Sequence, residues 1–231
     1  MQMIEHPDLD SLSTTVARTL AQICAEAIAT RGTAVLALAG GSTPLPVYRH
    51  LAGIELDWSR VVLLPGDERW VAHDEPACNL RAMREAFAAA NASFRPLTPE
   101  LPEGPPDTSV ADATLADLQA PFDACVLGMG GDGHFASLFP DAEGLTEALD
   151  PETDKQAVVV RPSPFPADAP FERISLTLSR IASSRRLLLL IRGEDKRRVL
   201  HNARTSADSQ RYPIAALMQH AGDALEIHWS P

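Results

Sequence analysis

Residues 33–39, Thr33-Ala34-Val35-Leu36-Ala37-Leu38-Ala39, form a continuous apolar run that reads as a buried strand, and Gly40-Gly41 stops it. Ser42, Thr43 and Pro44 then supply the cap and first-turn chemistry of a helix expected to reach Leu51. The same strand, turn and helix unit repeats outward from there. Upstream, Leu12, Val16, Leu20, Ile23, Ala27 and Ile28 recur at helical spacing over 11–30, with Asp10 or Ser11 able to cap the start. Downstream, an apolar strand at 60–65 breaks at Gly66-Asp67-Glu68-Arg69 and resumes as a helix over 77–89, and a further helix is expected over 108–119. The strand at 122–127 ends in Gly128-Met129-Gly130-Gly131-Asp132-Gly133-His134, with a helix-start turn expected at 135–139. Strands at 157–161, 173–178, 186–192 and 225–229 and helices at 194–203 and 213–219 complete the pattern. Alternating apolar strands and amphipathic helices imply an α/β fold: one mostly parallel sheet with helices on both faces. No shift in composition divides the chain, so residues 1–231 read as one domain.

The 231 residues, 45% of them apolar, can fill an ordinary core. With 20 Lys and Arg against 31 Asp and Glu, the formal charge of −11 argues against a nucleic-acid-binding surface over most of the molecule. A phosphorylated ligand would need a local basic pocket. The three cysteines, Cys24, Cys78 and Cys125, are odd in number and far apart, so they encode neither a disulfide framework nor a Cys-x-x-Cys metal site. Cys78 and Cys125 read as helix and strand core residues. There is no leader pattern in the first ten residues and no run near the roughly 18 apolar residues of a membrane span, so the expectation is a cytoplasmic protein without membrane or nucleic-acid partners.

In such folds a ligand sits outside the carboxyl ends of the strands, where four polar loops fall. The turn formed by Gly40, Gly41, Ser42 and Thr43 suits an anion, since glycines admit a close ligand and a helix N-terminus offers free N–H groups; capping alone is the other reading. A Walker loop is excluded by the missing Lys. Asp67, Glu68 and Arg69 leave a strand end together, which fits acid–base work or the binding of hydroxyl groups, or else a solvated ion-paired cluster. The loop 128–134 packs four glycines, an acid and an imidazole into seven residues. Its amides can form an anion-binding concavity, His134 can take up a proton near neutral pH, and Asp132 can orient the imidazole. The six other histidines lack such a setting, and no pair has the spacing of a zinc motif. Lys196 falls in the first turn of a helix, where a cation is unfavourable unless an anion joins it. No Gly-x-Ser-x-Gly elbow signals a nucleophilic serine.

Taken together, LALAGGSTP, LLPGDERWV followed by CNLRAMREAF, LGMGGDGHFASLFP, RISLTL and IRGEDKRRVL resemble the 6-phosphogluconolactonase family, in this order, over roughly residues 10–229. The resemblance implies a Rossmann-like three-layer sandwich shared with glucosamine-6-phosphate isomerases and deaminases. It also implies hydrolysis of 6-phospho-D-glucono-1,5-lactone in the oxidative pentose phosphate pathway, with no required cofactor and no metal. The partner would be a small phosphorylated sugar lactone, and the protein a monomer or weak homo-oligomer. Carried across, the match makes His134 the general base and Arg69 a substrate-binding or charge-stabilising group, with Asp132 beside them. The Gly40 to Thr43 turn and Lys196 would hold phosphate, with Asp67, Gly130, Gly131 and Arg173 as further contacts.

The related deaminases carry an Asp-Gly-His loop too, but place a Glu five residues after the His, where this chain has Phe139, and a Tyr where it has Arg69. Both differences favour the lactonase over an amino-sugar deaminase. A non-catalytic sugar-phosphate sensor of the transcription-regulator kind is expected to carry an added DNA-binding module, for which no basic helix pair is seen. Within the lactonase pattern, Phe135 stands where Thr is usual, Cys78 where Ser is usual, and Phe165 where Lys is frequent.

Overall fold

A computed structural model describes residues 2–118, 120–167 and 169–231. In chain order the first half holds β1 (Gln2–Glu5), α1 (Leu9–Arg31), β2 (Ala34–Leu38), α2 (Pro44–Ala52), β3 (Val61–Pro65), β4 (Asp67–Arg69), α3 (Asn79–Ala86), β5 (Ser93–Phe94) and α4 (Ser109–Ala116). The second half holds β6 (Ala124–Leu127), α5 (Leu145–Ala148), β7 (Ala157–Val160), β8 (Arg173–Leu176), α6 (Leu178–Ala182), β9 (Leu187–Arg192), α7 (Glu194–Ser206), α8 (Ile214–Ala221) and β10 (Leu225–Ser230).

Seven strands form one sheet in the order β1-β10-β9-β6-β2-β3-β5, and every neighbouring pair is parallel. Because side chains alternate across a strand, the central strands feed two cores. Leu36 and Leu38, Ala124 and Val126, and Leu188 and Leu190 pack on one face with residues of α1, α2 and α3. Ala37, Cys125 and Leu127, and Leu187 and Leu189 pack on the other with residues of α4, α6, α7 and α8. The three-layer α/β sandwich expected from sequence is therefore the observed fold. None of the described helices is long and apolar enough to cross a membrane.

Several local expectations are corrected. Residues 67–69 are not a loop but the edge of a second, antiparallel sheet ordered β4-β8-β7, which also takes the strands expected at 157–161 and 173–178. Gly66 makes the transfer, donating its N–H to Leu38 O at 2.9 Å and accepting from Leu176 N at 3.0 Å. Apolar runs of four residues announce a strand without naming its partner. Helix α1 begins earlier than read, capped by Asp8, whose Oδ1 accepts from Ser11 N at 2.7 Å, so neither Asp10 nor Ser11 is the cap. Thr43 has helical backbone (φ −78°, ψ −45°) and makes no capping bond; Pro44 opens α2 instead. Cys78 is buried as expected but sits at the N-cap of α3 and not inside the helix, its Sγ accepting from Arg81 N at 3.4 Å. No helix starts at 135–139, where Phe135 and Leu138 form an isolated antiparallel bridge around Ala136, whose φ of 48° leaves the helical region. The helix expected over 108–119 covers Ser109–Ala116, and Gln119 lies outside the described residues. The short elements β1, β5, α5 and α6 were not foreseen, being too short to show a period.

Candidate active site

The sheet order brings the loops together. The strands β9, β6, β2 and β3 are consecutive neighbours and all parallel, so the loops that follow them leave the same edge. The chain steps from β2 to β3 on one side and later places β6 on the other, and at such a switch of direction a crevice opens between the diverging loops. A cleft of about 900 Å³ lies there. His134, Arg69, Asp132, Gly40, Gly41, Ser42, Thr43, Asp67, Gly130, Gly131, Arg173 and Lys196 all border it. Of the two proline-rich stretches of the sequence, 95–107 and 161–170, only the second has described residues that reach its wall.

In the loop after β6, His134 Nδ1 lies 2.6 Å from Asp132 Oδ1, which also accepts from His134 N at 3.1 Å. Burial pushes the Asp132 carboxyl up, but the bonds and charge of His134 outweigh it and hold Asp132 below the usual carboxylate range. An ionised carboxylate only accepts, so the proton of a neutral imidazole sits on Nδ1 and the lone pair on Nε2. Among the described residues Nε2 has no hydrogen-bond partner, and the imidazole is about a quarter exposed. Gly130 makes this pose possible: a β-carbon there would stand 2.2 Å from His134 Nδ1 and Cε1. The Phe139 ring packs against the imidazole with centroids 4.0 Å apart.

The segment that follows β3 carries a cation, Arg69 on β4. Arg69 Nη1 donates to Ala77 O at 2.6 Å, while its buried Nε has no partner among the described residues. Its backbone is held by Glu68, a buried carboxylate that accepts from Arg69 N (2.8 Å), Asn79 N (2.8 Å) and Leu80 N (2.7 Å). Desolvation raises the Glu68 pKa despite these bonds, and the nearby Asp67 adds to the rise. Asn79 Nδ2 donates to Asp67 O at 2.7 Å, and its Oδ1 occupies the space a side chain on Gly40 would need. Asp67 accepts from Ser137 Oγ, and Ser137 N in turn donates to Ser175 Oγ at 3.1 Å, which ties the loop after β6 to the second sheet at the paired residues Asp67 and Ser175. The buried Tyr48 hydroxyl donates to Ala39 O at 2.8 Å and anchors the turn that begins at Gly40.

On the remaining side, Lys196 lies in the first turn of α7 and donates to Met129 O. Desolvation lowers its pKa, partly offset by the Asp132 charge, so an anion entering the cleft meets an ammonium that is short of solvent. Arg173 on β8 is 3% exposed, donates from Nη2 to Ala169 O at 2.9 Å, and stands over the Phe139 ring. The cysteines are not nucleophile candidates, since Cys24 and Cys125 are buried and their pKa values pushed up to about 12, chiefly by desolvation.

Sequence reasoning did not single out Asn79 or Ser137 for the site and read Phe139 only as the place of an absent carboxylate. All three lie inside the quoted blocks CNLRAMREAF and LGMGGDGHFASLFP, which was the available signal. Chemically, the arrangement offers an imidazole nitrogen, a glycine loop and three cations around one polar cleft, one of the cations, Arg69, with an Nε that has no partner among the described residues.

A family model described as glucosamine-6-phosphate isomerases/6-phosphogluconolactonase matches residues 7–229. The chain is 37% identical to a 6-phosphogluconolactonase of Rhizobium meliloti (strain 1021), over 100% of this chain and 98% of that protein. It is 39% identical to one of Mesorhizobium japonicum, over 97% and 93% of the two chains. The crystal structure of a 6-phosphogluconolactonase from Shewanella baltica OS155 superposes with a TM-score of 0.88 at 35% identity, covering 99% of this chain and 97% of the other.

Proposed function

Since this chain belongs to the glucosamine-6-phosphate isomerase/6-phosphogluconolactonase family, we propose that it is a 6-phosphogluconolactonase in which His134 is the general base. The enzyme opens 6-phospho-D-glucono-1,5-lactone to 6-phospho-D-gluconate, the hydrolytic step of the oxidative pentose phosphate pathway, as a single cytoplasmic domain. Nε2 of His134 takes a proton from a water molecule, and the resulting hydroxide adds to the lactone carbonyl carbon. The carbonyl oxygen becomes an oxyanion, stabilised by Arg69 and by the loop amide of Gly131, each well-placed donor contributing roughly 3 kcal/mol; the Gly130 N–H, expected from sequence to help, instead closes the loop on His134 O at 2.9 Å. The imidazolium, held by Asp132, then gives its proton to the departing ring oxygen as the carbon–oxygen bond breaks. Lys196, Arg173 and the turn from Gly40 to Thr43 hold the phosphate, and Asp67 contacts a sugar hydroxyl.

One observation carries this mechanism: an imidazole whose Nδ1 is tied to a carboxylate at 2.6 Å borders the same cleft as Lys196 and Arg173. The polar cleft wall and the absence of a carboxylate at Phe139 favour lactone hydrolysis over amino-sugar ring opening, which needs one more acid–base group. The test is acid release from the lactone above its spontaneous opening at neutral pH, with glucosamine 6-phosphate as comparison substrate. His134→Ala is expected to lose turnover by about 10²- to 10⁴-fold while remaining folded. An Ala variant with parental activity excludes His134 as the base, and ammonia release from the amino sugar excludes the lactonase assignment.

A further inference from the structure

The Nδ1 bond to Asp132 is one restraint on rotation of the imidazole about Cβ–Cγ, and about a quarter of the side chain's surface remains exposed. Gly130 crowds the Nδ1 and Cε1 edge from one direction. Phe139 supplies the other boundary. Its ring centroid lies 4.0 Å from that of His134 with 34° between the planes, and Arg173 Cζ stands 4.8 Å from the same ring. The aromatic side chain thus touches both the imidazole and a guanidinium of the cleft wall. It is buried in a small satellite cluster with Ala142 and Val160, with Val158 against it, apart from the two principal cores. The segment that presents it is also unusual. Ala136 and Asp141, three residues before and two after, both have positive φ (48° and 57°) although neither is glycine. Such backbone persists only where its surroundings impose it, and it gathers at functional sites.

We infer that Phe139 is a positioning residue for His134: set between the imidazole and Arg173, its ring holds the imidazole with Nε2 presented to the cleft. The inference rests on the reading of His134 as general base. A tilted aromatic ring packed at 4.0 Å restricts rotation of a flat ring without accepting its proton, which a polar group would do. Arg173 supports Phe139 from a cation–π position, so the base is braced by a residue that itself borders the cleft.

The experiment compares Phe139→Leu, Phe139→Tyr and His134→Ala with the parent in steady-state lactone hydrolysis. Phe139→Leu is expected to lower kcat about 10- to 100-fold, the scale of a misplaced catalytic group, with KM little changed. Phe139→Tyr, which keeps the ring, restores kcat to near the parental value. In proton NMR of the parent, the His134 Cε1–H resonance is displaced by the neighbouring ring current, and Phe139→Leu returns it toward its unstacked position. Parental kcat in Phe139→Leu, a loss that Phe139→Tyr does not restore, or an undisplaced parental resonance overturns the inference. His134→Ala separates the two claims: retained activity there defeats the base assignment itself, whereas lost activity there with parental kcat in Phe139→Leu defeats the positioning role alone. If Phe139→Leu does not fold, the parental resonance and Phe139→Tyr decide.

Discussion

Gly130→Ala perturbs the His134–Asp132 pair without touching either residue. The backbone at Gly130 is outside the positive-φ set, so alanine fits its conformation and the conflict is purely one of space. The new β-carbon would lie 2.2 Å from His134 Nδ1 and Cε1 and 2.6 Å from Asp132 Oδ1, where ordinary contact starts at 3.4 Å. The imidazole must therefore withdraw by more than an ångström. Because the crowded atoms belong to side chains at the cleft edge, they can move, and the fold survives. A displacement of about 1 Å in a positioned catalytic group costs about 10²-fold in rate, equivalent to about 3 kcal/mol in the barrier. Turnover of the phosphorylated lactone, corrected for spontaneous opening, should fall by that order while KM changes little and the circular dichroism spectrum stays parental. A Gly130→Ala enzyme with parental kcat would refute the view that the imidazole works from its observed position against the Gly130 backbone.

Two further outcomes test the surrounding frame. Glu68→Gln sets an amide N–H₂ against backbone donors that now share a carboxylate, so unfolding free energy should drop by about 2 kcal/mol and the melting temperature by roughly 4–8 °C; an unchanged Tm in a thermal scan would show that the carboxylate does not hold the α3 start. The buried pair His6 and His228, with Nε2 to Nδ1 at 3.0 Å, folds neutral. Desolvation first, and the neighbouring His6 second, lower the His228 pKa to about 4, and desolvation lowers that of His6 as well. A basic group depressed in the fold contributes its full stability above the unfolded value near 6.5. As pH falls from there toward about 4 the unfolded chain binds the proton first, and about 3 kcal/mol is lost from His228 alone. Urea midpoints at pH 7 and pH 4.5 measure the slope, and a flat profile would contradict a neutral buried pair.

Much of the architecture could be read from local pattern. Runs such as 34–39 and 124–127 are apolar on both faces, and a strand that is apolar on both faces must be covered on both, which already demands helices above and below. The glycine loops at 40–41 and 128–134 and the first-turn lysine at 196 were visible as departures from ordinary strand and helix chemistry, and departures of that kind collect where backbone must approach a ligand. The order β9-β6-β2-β3, by contrast, was set by long-range packing. The assignment of 67–69 to a second sheet came from the hydrogen bonds of Gly66 to residues 38 and 176, neither of which any local window contains. Asn79 became a neighbour of Gly40, Ser137 of Asp67, and Phe139 of Arg173 only through that folding. Residue types and turns follow from short-range sterics and capping, which are written within a few positions of each other. Which side chains face one another across a cleft follows from how entire sheets and helices bury their surfaces, a quantity summed over the whole chain.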